Sequence, residues 1–239
     1  MNVDQYHDGA LASSPVRAVS PVEASALGEE PPTMAADLML IVLDDASGKL
    51  RVQPRVASYA LAGALLVELW LTRHLVLGNL RLEVRPAQPI PEDALLRRTL
   101  GWLLCEPEQA ELTCWIEALA ASTLDRVADQ LESAGWICRA GRHRGGSRYD
   151  PVDRNRVFWR RGRLTTALAS QPQWTDLLLF ALVDAVGLGS GVLDNAVRRP
   201  SRDQVRTWST SLRQSYPDAS ELVGLVHQRA DRMAVAPRR

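Results

Sequence analysis

A chain of 239 residues has room for one large domain or two small ones, and for a sizeable core. Hydrophobic residues make up 46% and charged residues 23%, ordinary proportions that exclude wholesale disorder. A formal net charge of +0 excludes a uniformly polybasic nucleic-acid binder and an acidic tail protein alike.

Residues 1–32 carry Ser13-Ser14-Pro15, Ser20-Pro21 and Pro31-Pro32 without any apolar period, which predicts a disordered acidic leader. No basic stretch followed by an apolar run opens the chain, so no secretory signal is predicted. Through Asp45 there are eight acids against Arg17, a net of −7. Residues 139–163 reverse this, with nine Arg against Asp150 and Asp153, a net of +7. Neutrality therefore conceals a polarised chain, and the nine guanidinium groups are expected to gather on one face.

A folded domain is predicted over residues 33–235. Thr33 is a plausible N-cap before an apolar helix running to Leu43, and Asp44 to Gly48 has turn composition. Val56 to Leu71 is apolar nearly all round, the pattern of a central buried helix. Tyr59 to Leu71 is too short to span a bilayer, which takes about 20 apolar residues, and it contains Glu68. Alternation around Gly78-Asn79 predicts a hairpin over His74 to Val84. Pro91 is expected to open a helix with Glu92 and Asp93 in its first turn.

Two further helices follow over Leu112 to Ala120 and Thr123 to Ala134, the second ended by Gly135. Gly141 to Gly146 reads as the turn of a basic hairpin. Arg154 to Ala169 is a cationic helix, Trp174 to Gly187 an apolar one, and Ser201 with Gln204 forms a capping box. A last helix starts at Asp218 or Ser220. The fold class is mainly α, a single-domain bundle of about eight or nine helices with two small β-hairpins.

The catalytic inventory is thin. His7, His74, His143 and His227 are scattered outside any ligand spacing, and no nucleophile elbow or phosphate loop is present. Neither an enzyme, a metal nor a cofactor is expected. Cys105, Cys114 and Cys138 form no C-x-x-C and read as buried thiols of a reducing compartment. Gly187, Gly189 and Gly191 fail the dinucleotide pattern because Val192 replaces the third Gly, leaving a helix end and turn. Asp44 and Asp45 read as turn residues, and an enzyme built on them would need converging donors. Trp102, Trp115, Trp136 and Trp174 sit among apolar neighbours and are assigned to packing.

The basic block carries the chemistry. Arg139, Arg142, His143, Arg144 and Arg148 crowd one Gly-rich hairpin, with Arg126 on the preceding helix. Several guanidinium forks on a loop suit phosphate, in a lipid headgroup or a nucleic-acid backbone. A solvated face, or a partner for the acidic leader, is the alternative use of the same charge. The winged-helix reading, a nucleic-acid-binding regulator, stands second: its supposed recognition helix offers Asp125, Asp129 and Glu132 against Arg126, and DNA would repel it.

Taken in order, the segment Thr33 to Gly48, the run Ala60 to Leu69, Leu75 to Val84, Trp115 to Leu119, Val127 to Ile137 and Trp174 to Leu193 resemble the Golgi phosphoprotein 3 family, in particular its compact bacterial members. The resemblance covers about residues 33 to 235. It implies a mostly helical, non-catalytic peripheral membrane protein, cytoplasmic and held at the inner face of a membrane. It also implies an anionic lipid partner, phosphatidylinositol 4-phosphate in the eukaryotic members, together with protein clients and self-association. At the positions where those relatives hold the headgroup with a Trp and several Arg, this chain has Gln53, Ala62, Ala121 and Leu124. Arg126 is the basic residue retained in that neighbourhood. The chain is also shorter between Leu119 and Thr123, where eukaryotic relatives carry a hairpin used in self-association. The resemblance thus transfers the fold without the lipid specificity; Arg126 from that neighbourhood, together with Arg139, Arg142, His143, Arg144 and Arg148 of the basic hairpin, are the residues expected to contact a headgroup.

Overall fold

The structure, a computed structural model, describes residues 33–85, 89–105, 111–143, 146–194 and 200–235, with the backbone alone at 141–143, 146, 147, 234 and 235. The acidic leader predicted for residues 1–32 lies outside the described residues.

Helix α1 spans Met34–Val42. Thr33 caps it, its hydroxyl accepting from Ala36 N at 3.0 Å. Helix α2, Pro54–Leu71, opens with Pro at a position whose N–H has no helical partner. From Val56 to Val67 every residue is buried. By length and composition α2 could cross a membrane, yet it is mostly enclosed by the rest of the chain.

Strands β1 (Leu75–Gly78) and β2 (Arg81–Val84) pair antiparallel with Leu75 opposite Val84 and Gly78 opposite Arg81. The turn is therefore Asn79-Leu80, one residue beyond the predicted Gly78-Asn79 centre, and both have positive φ, 51° and 58°. Helix α3 covers Ala94–Cys105, starting three residues after the predicted Pro91. The reason is local: one Asp93 carboxylate oxygen accepts from Leu95 N and Leu96 N at 2.9 Å each, so Asp93 caps the helix from outside it.

Helices α4 (Leu112–Ala120) and α5 (Thr123–Ser133) follow, and Gly135 adopts φ +70° just past α5. Strands β3 (Ile137–His143) and β4 (Gly146–Pro151) form the second hairpin, with a register shift between Ala140 and His143. Helix α6 is Arg154–Ala169, capped by Asp153, and α7 is Trp174–Ala185. The short α8, Gly189–Leu193, raises the described helices to ten, one more than the upper expectation. It forms where the glycine-rich run was expected to be a turn, while Gly187 at φ +81° ends the preceding segment. The predicted Ser201–Gln204 capping box opens α9 (Arg202–Ser215), and α10 runs over Pro217–Val235. The chain is mainly helical with two small hairpins, as its sequence predicts.

Helix α2 sits at the centre, packed by α1, α4, α5, α7 and α10. Close approach to α10 is possible because residue 63 is Gly: a Cβ there would lie 2.7 Å from Val226 Cγ2. Two packing expectations need correction. Cys105, Cys114 and Cys138 are all exposed, because each falls on the outer side of a helix or strand whose opposite side faces the core. Trp115 and Trp136 are buried and Trp102 half-buried, but Trp174 at the start of α7 is 37% exposed and stacks edge-on against Tyr216 instead.

Candidate functional site

The cationic segment 139–163 divides by where the fold sends each guanidinium. On α6, Arg160 turns inward and grips Asp37 of α1 with two bonds, Nε to Oδ1 at 2.8 Å and an Nη to Oδ2 at 2.7 Å. Arg163 reaches the same carboxylate at 3.3 Å and Asp176 at 3.5 Å. Arg161 is buried and donates to the Leu43 carbonyl at 3.2 Å; burial holds its pKa below the usual value, with Arg51 nearby as a further cause. Arg156 stacks 3.5 Å above the Trp136 ring. The expectation of nine gathered guanidinium groups fails here, since Arg160, Arg161 and Arg163, three of the five Arg of α6, hold that helix to Asp37 and Leu43.

The hairpin cations are distributed differently. Arg139 on β3 ties the hairpin to α5 through Asp129 at 2.7 Å, Glu132 at 3.8 Å and the Asp125 carbonyl. Arg148 on β4 pairs with Asp150 at 2.6 Å. The side chains of Arg142 and His143, and all of Arg144, lie outside the described residues. Arg154 is exposed and forms no ion pair among the described residues. One helical turn on, Phe158 is 54% exposed, and Val152 just before α6 is 59% exposed.

Arg126 of α5 is half-buried with its guanidinium 5.8 Å from the Trp102 ring centre. It lines a cleft of about 490 Å³ between α3 and α5, together with Arg98 of α3, Asp129, Gln130 and Ser133, over buried Leu95. Arg98 escaped the sequence reading. Its signal was available, since Arg98 and Trp102 are four apart on one helix face, but only the packing of α3 on α5 brings Arg98 and Arg126 to the lining of one cleft.

The family's headgroup positions are dispersed in kind. Gln53 is an exposed N-cap of α2, Ala62 is fully buried within α2, Ala121 is an exposed C-cap of α4, and Leu124 is half-buried. Asp44 and Asp45 do the work of a turn. Ser47 donates its backbone N–H and hydroxyl to Asp44 at 2.8 and 2.9 Å, and the backbone bond leads the causes holding Asp44 below its usual pKa. Arg51 pairs with Asp44 and Asp45 at 3.2 and 3.5 Å. Among the described residues, no group of three or more His, Cys, Asp or Glu is placed to hold a metal ion.

A second cleft, about 260 Å³, lies between α7, α9 and α10 and is faced chiefly by apolar groups including Phe180, Trp208 and Leu212. A family model described as Golgi phosphoprotein 3 (GPP34) matches residues 34–228. Comparison with curated proteins finds no match.

Proposed function

This chain belongs to the Golgi phosphoprotein 3 family, and from that membership we propose that it is a non-catalytic adaptor binding anionic lipid at the cytoplasmic face of a membrane. The family match over residues 34–228 carries the reading. Arg126, Arg139, Arg142, His143, Arg144 and Arg148 contact the headgroup layer. Arg139 and Arg148 also hold their own carboxylates, so Arg142, His143 and Arg144 take the larger share. Arg154 with exposed Phe158 one turn away adds a cation beside an apolar side chain, a pairing suited to the boundary between headgroups and acyl chains. Each Arg apposed to an anionic surface contributes about 1 kcal/mol.

Phosphatidylinositol 4-phosphate is the finer proposal for the lipid, with protein clients bridged to the membrane. Since Gln53, Ala62, Ala121 and Leu124 stand at the family's headgroup positions, selectivity among phosphoinositides rests on other side chains. The nucleic-acid alternative is disfavoured by the exposed Asp125, Asp129 and Glu132 on α5, which would face phosphate.

Vesicle flotation tests the reading. More protein is expected to float with anionic than with neutral phosphatidylcholine vesicles, and equal recovery from both would remove the proposal. Replacing Arg142, Arg144 and Arg148 with Ala is expected to weaken recovery and flatten its dependence on salt. A gel shift on random duplex at matched salt, stronger than vesicle co-sedimentation, would instead favour the nucleic-acid alternative.

A further inference from the structure

The cleft between α7, α9 and α10 has its charges sorted to opposite ends. Trp174, first in α7, has its ring centre 4.8 Å from that of Tyr216, which joins α9 to α10. At the other end of α7 the Ala185 carbonyl accepts from His227 Nδ1 of α10 at 3.1 Å. Helices α7 and α10 therefore run in parallel. Trp208 of α9 meets Phe180 midway along α7, ring centres 6.0 Å apart, so α9 runs back against both. From that aromatic pair Asp184 lies four residues, about 6 Å, toward the end of α7, and Arg213 lies five residues, about 7.5 Å, the other way along α9. Such a separation exceeds the screening length of about 8 Å at physiological salt, so Arg213 does not neutralise Asp184. Arg213 sits instead in the last turn of α9, where a cation suits the helix dipole. His227 is occupied too: its other ring nitrogen, Nε2, lies 3.3 Å from Asp231. Asp184 forms no hydrogen bond or ion pair among the described residues, and partial burial holds its carboxyl above the usual pKa, opposed by the His227 charge. Gly224 of α10 lines the same cleft, and a Cβ there would meet nothing within 4 Å. Glycine weakens a helix relative to Ala, so the packing of the chain gives no reason for it, whereas a ligand would use the room.

We infer that this cleft binds a small apolar amine, its ammonium group on the Asp184 carboxylate and its hydrocarbon body against Phe180, Trp208 and Leu212. Size limits the ligand first: about 260 Å³ is below the usual range of drug-sized sites and holds a single ring or a short chain. Charge decides the rest. The one carboxylate lacking a partner here calls for a cation, and the aromatic rings beside it favour a weakly hydrated organic one. A divalent metal ion needs several oxygen ligands and would find a single carboxylate among apolar walls. An anion would meet Asp184 with His227 already engaged. The inference shares no residue with the membrane reading and stands or falls apart from it.

Calorimetry on the full chain compares phenethylamine with phenylethanol and phenylpropionate, which keep the ring and change the charge. The wild type is expected to bind the amine about tenfold more tightly than the alcohol, the size of one hydrogen bond to a charged group, and to bind the acid least. Asp184→Asn should bring the amine down to the affinity of the alcohol and leave the alcohol unchanged, a split that a general loss of packing would not produce. Gly224→Leu fills the cleft and should abolish binding of amine and alcohol alike. Gly224→Ala, whose methyl has open space, should melt no lower than the wild type and weaken both ligands less. Equal affinity for amine and alcohol, acid bound as tightly as amine, or a wild-type chain that binds none of the three overturns the inference. So does amine binding that Asp184→Asn leaves unmoved, or that survives intact in a folded Gly224→Leu variant.

Discussion

At Asp37 two guanidinium groups converge on one buried carboxylate, and this contact fixes α6 against α1. Asp37→Asn keeps the size of the side chain but leaves Arg160 buried beside a neutral group. The expected loss is about 3–5 kcal/mol in denaturant unfolding; a loss under about 1 kcal/mol would mean that water already screens the pair. Glu68 gives a different signal. Burial, with Asp93 as a lesser contributor, pushes its pKa up to about 7, although its carboxylate accepts from Met34 N at 2.8 Å. Its folded value lies above its unfolded one, so the folded chain binds the extra proton. Stability from this group is thus complete below about pH 4.5 and declines as pH rises through about 7. Glu68→Gln keeps an acceptor for Met34 N and removes the titration. Above pH 7 the variant is expected to be more stable by on the order of 2 kcal/mol, with the difference vanishing near pH 4.5. Parallel unfolding curves across that range would contradict the assignment.

Among the elements, the β1–β2 hairpin carries an avoidable cost. Its two-residue turn demands left-handed φ at both positions, which Asn79 tolerates and Leu80, with its Cβ close to the following carbonyl, does not. Leu80→Gly creates the Asn-Gly pair favoured by such turns and removes an exposed apolar side chain. A gain of about 1 kcal/mol is expected, read as a melting temperature a few degrees higher; a lower one would show that the Leu80 side chain packs usefully. The α2–α10 contact behaves in the opposite sense. At Gly63 an added methyl would press on Val226 and lie 3.2 Å from Leu182, so Gly63→Ala should cost about 1–3 kcal/mol despite its better helix propensity. Thermal unfolding distinguishes this from the slight gain that propensity alone predicts.

For the whole molecule, opposite charges are separated along the chain and partly recombined by folding. Asp37, Asp44 and Asp45 from the acidic segment through Asp45 meet Arg160, Arg163, Arg51 and Arg161. The membrane attraction proposed above is therefore left to fewer cations than the composition offers. The salt dependence of vesicle recovery should be correspondingly shallow, and Arg160→Gln should change stability far more than flotation. A steep salt slope that Arg160→Gln flattens in a stably folded protein would assign Arg160 to the surface instead.

Nine of the ten described helices and both hairpins were legible almost element by element, α8 being the exception, because caps, glycine ends and apolar periods are properties of neighbouring residues. Thr33, Gly135, Asp153 and the Ser201–Gln204 box mark their boundaries in the chain itself. Asp93 misled the reading by one turn, since an acidic residue near a helix start serves as cap or as first-turn charge with the same local pattern. The sequence by itself determined the mainly helical class, the buried α2 and the family resemblance. Only the tertiary structure decided which cations are spent: Arg160 meets Asp37 across 123 positions, while Arg98 and Arg126, 28 apart in sequence, line one cleft. Charge can be counted along a chain, but whether a guanidinium faces a carboxylate, an indole or open solvent depends on which helix faces are packed together, and those contacts join residues far apart in sequence.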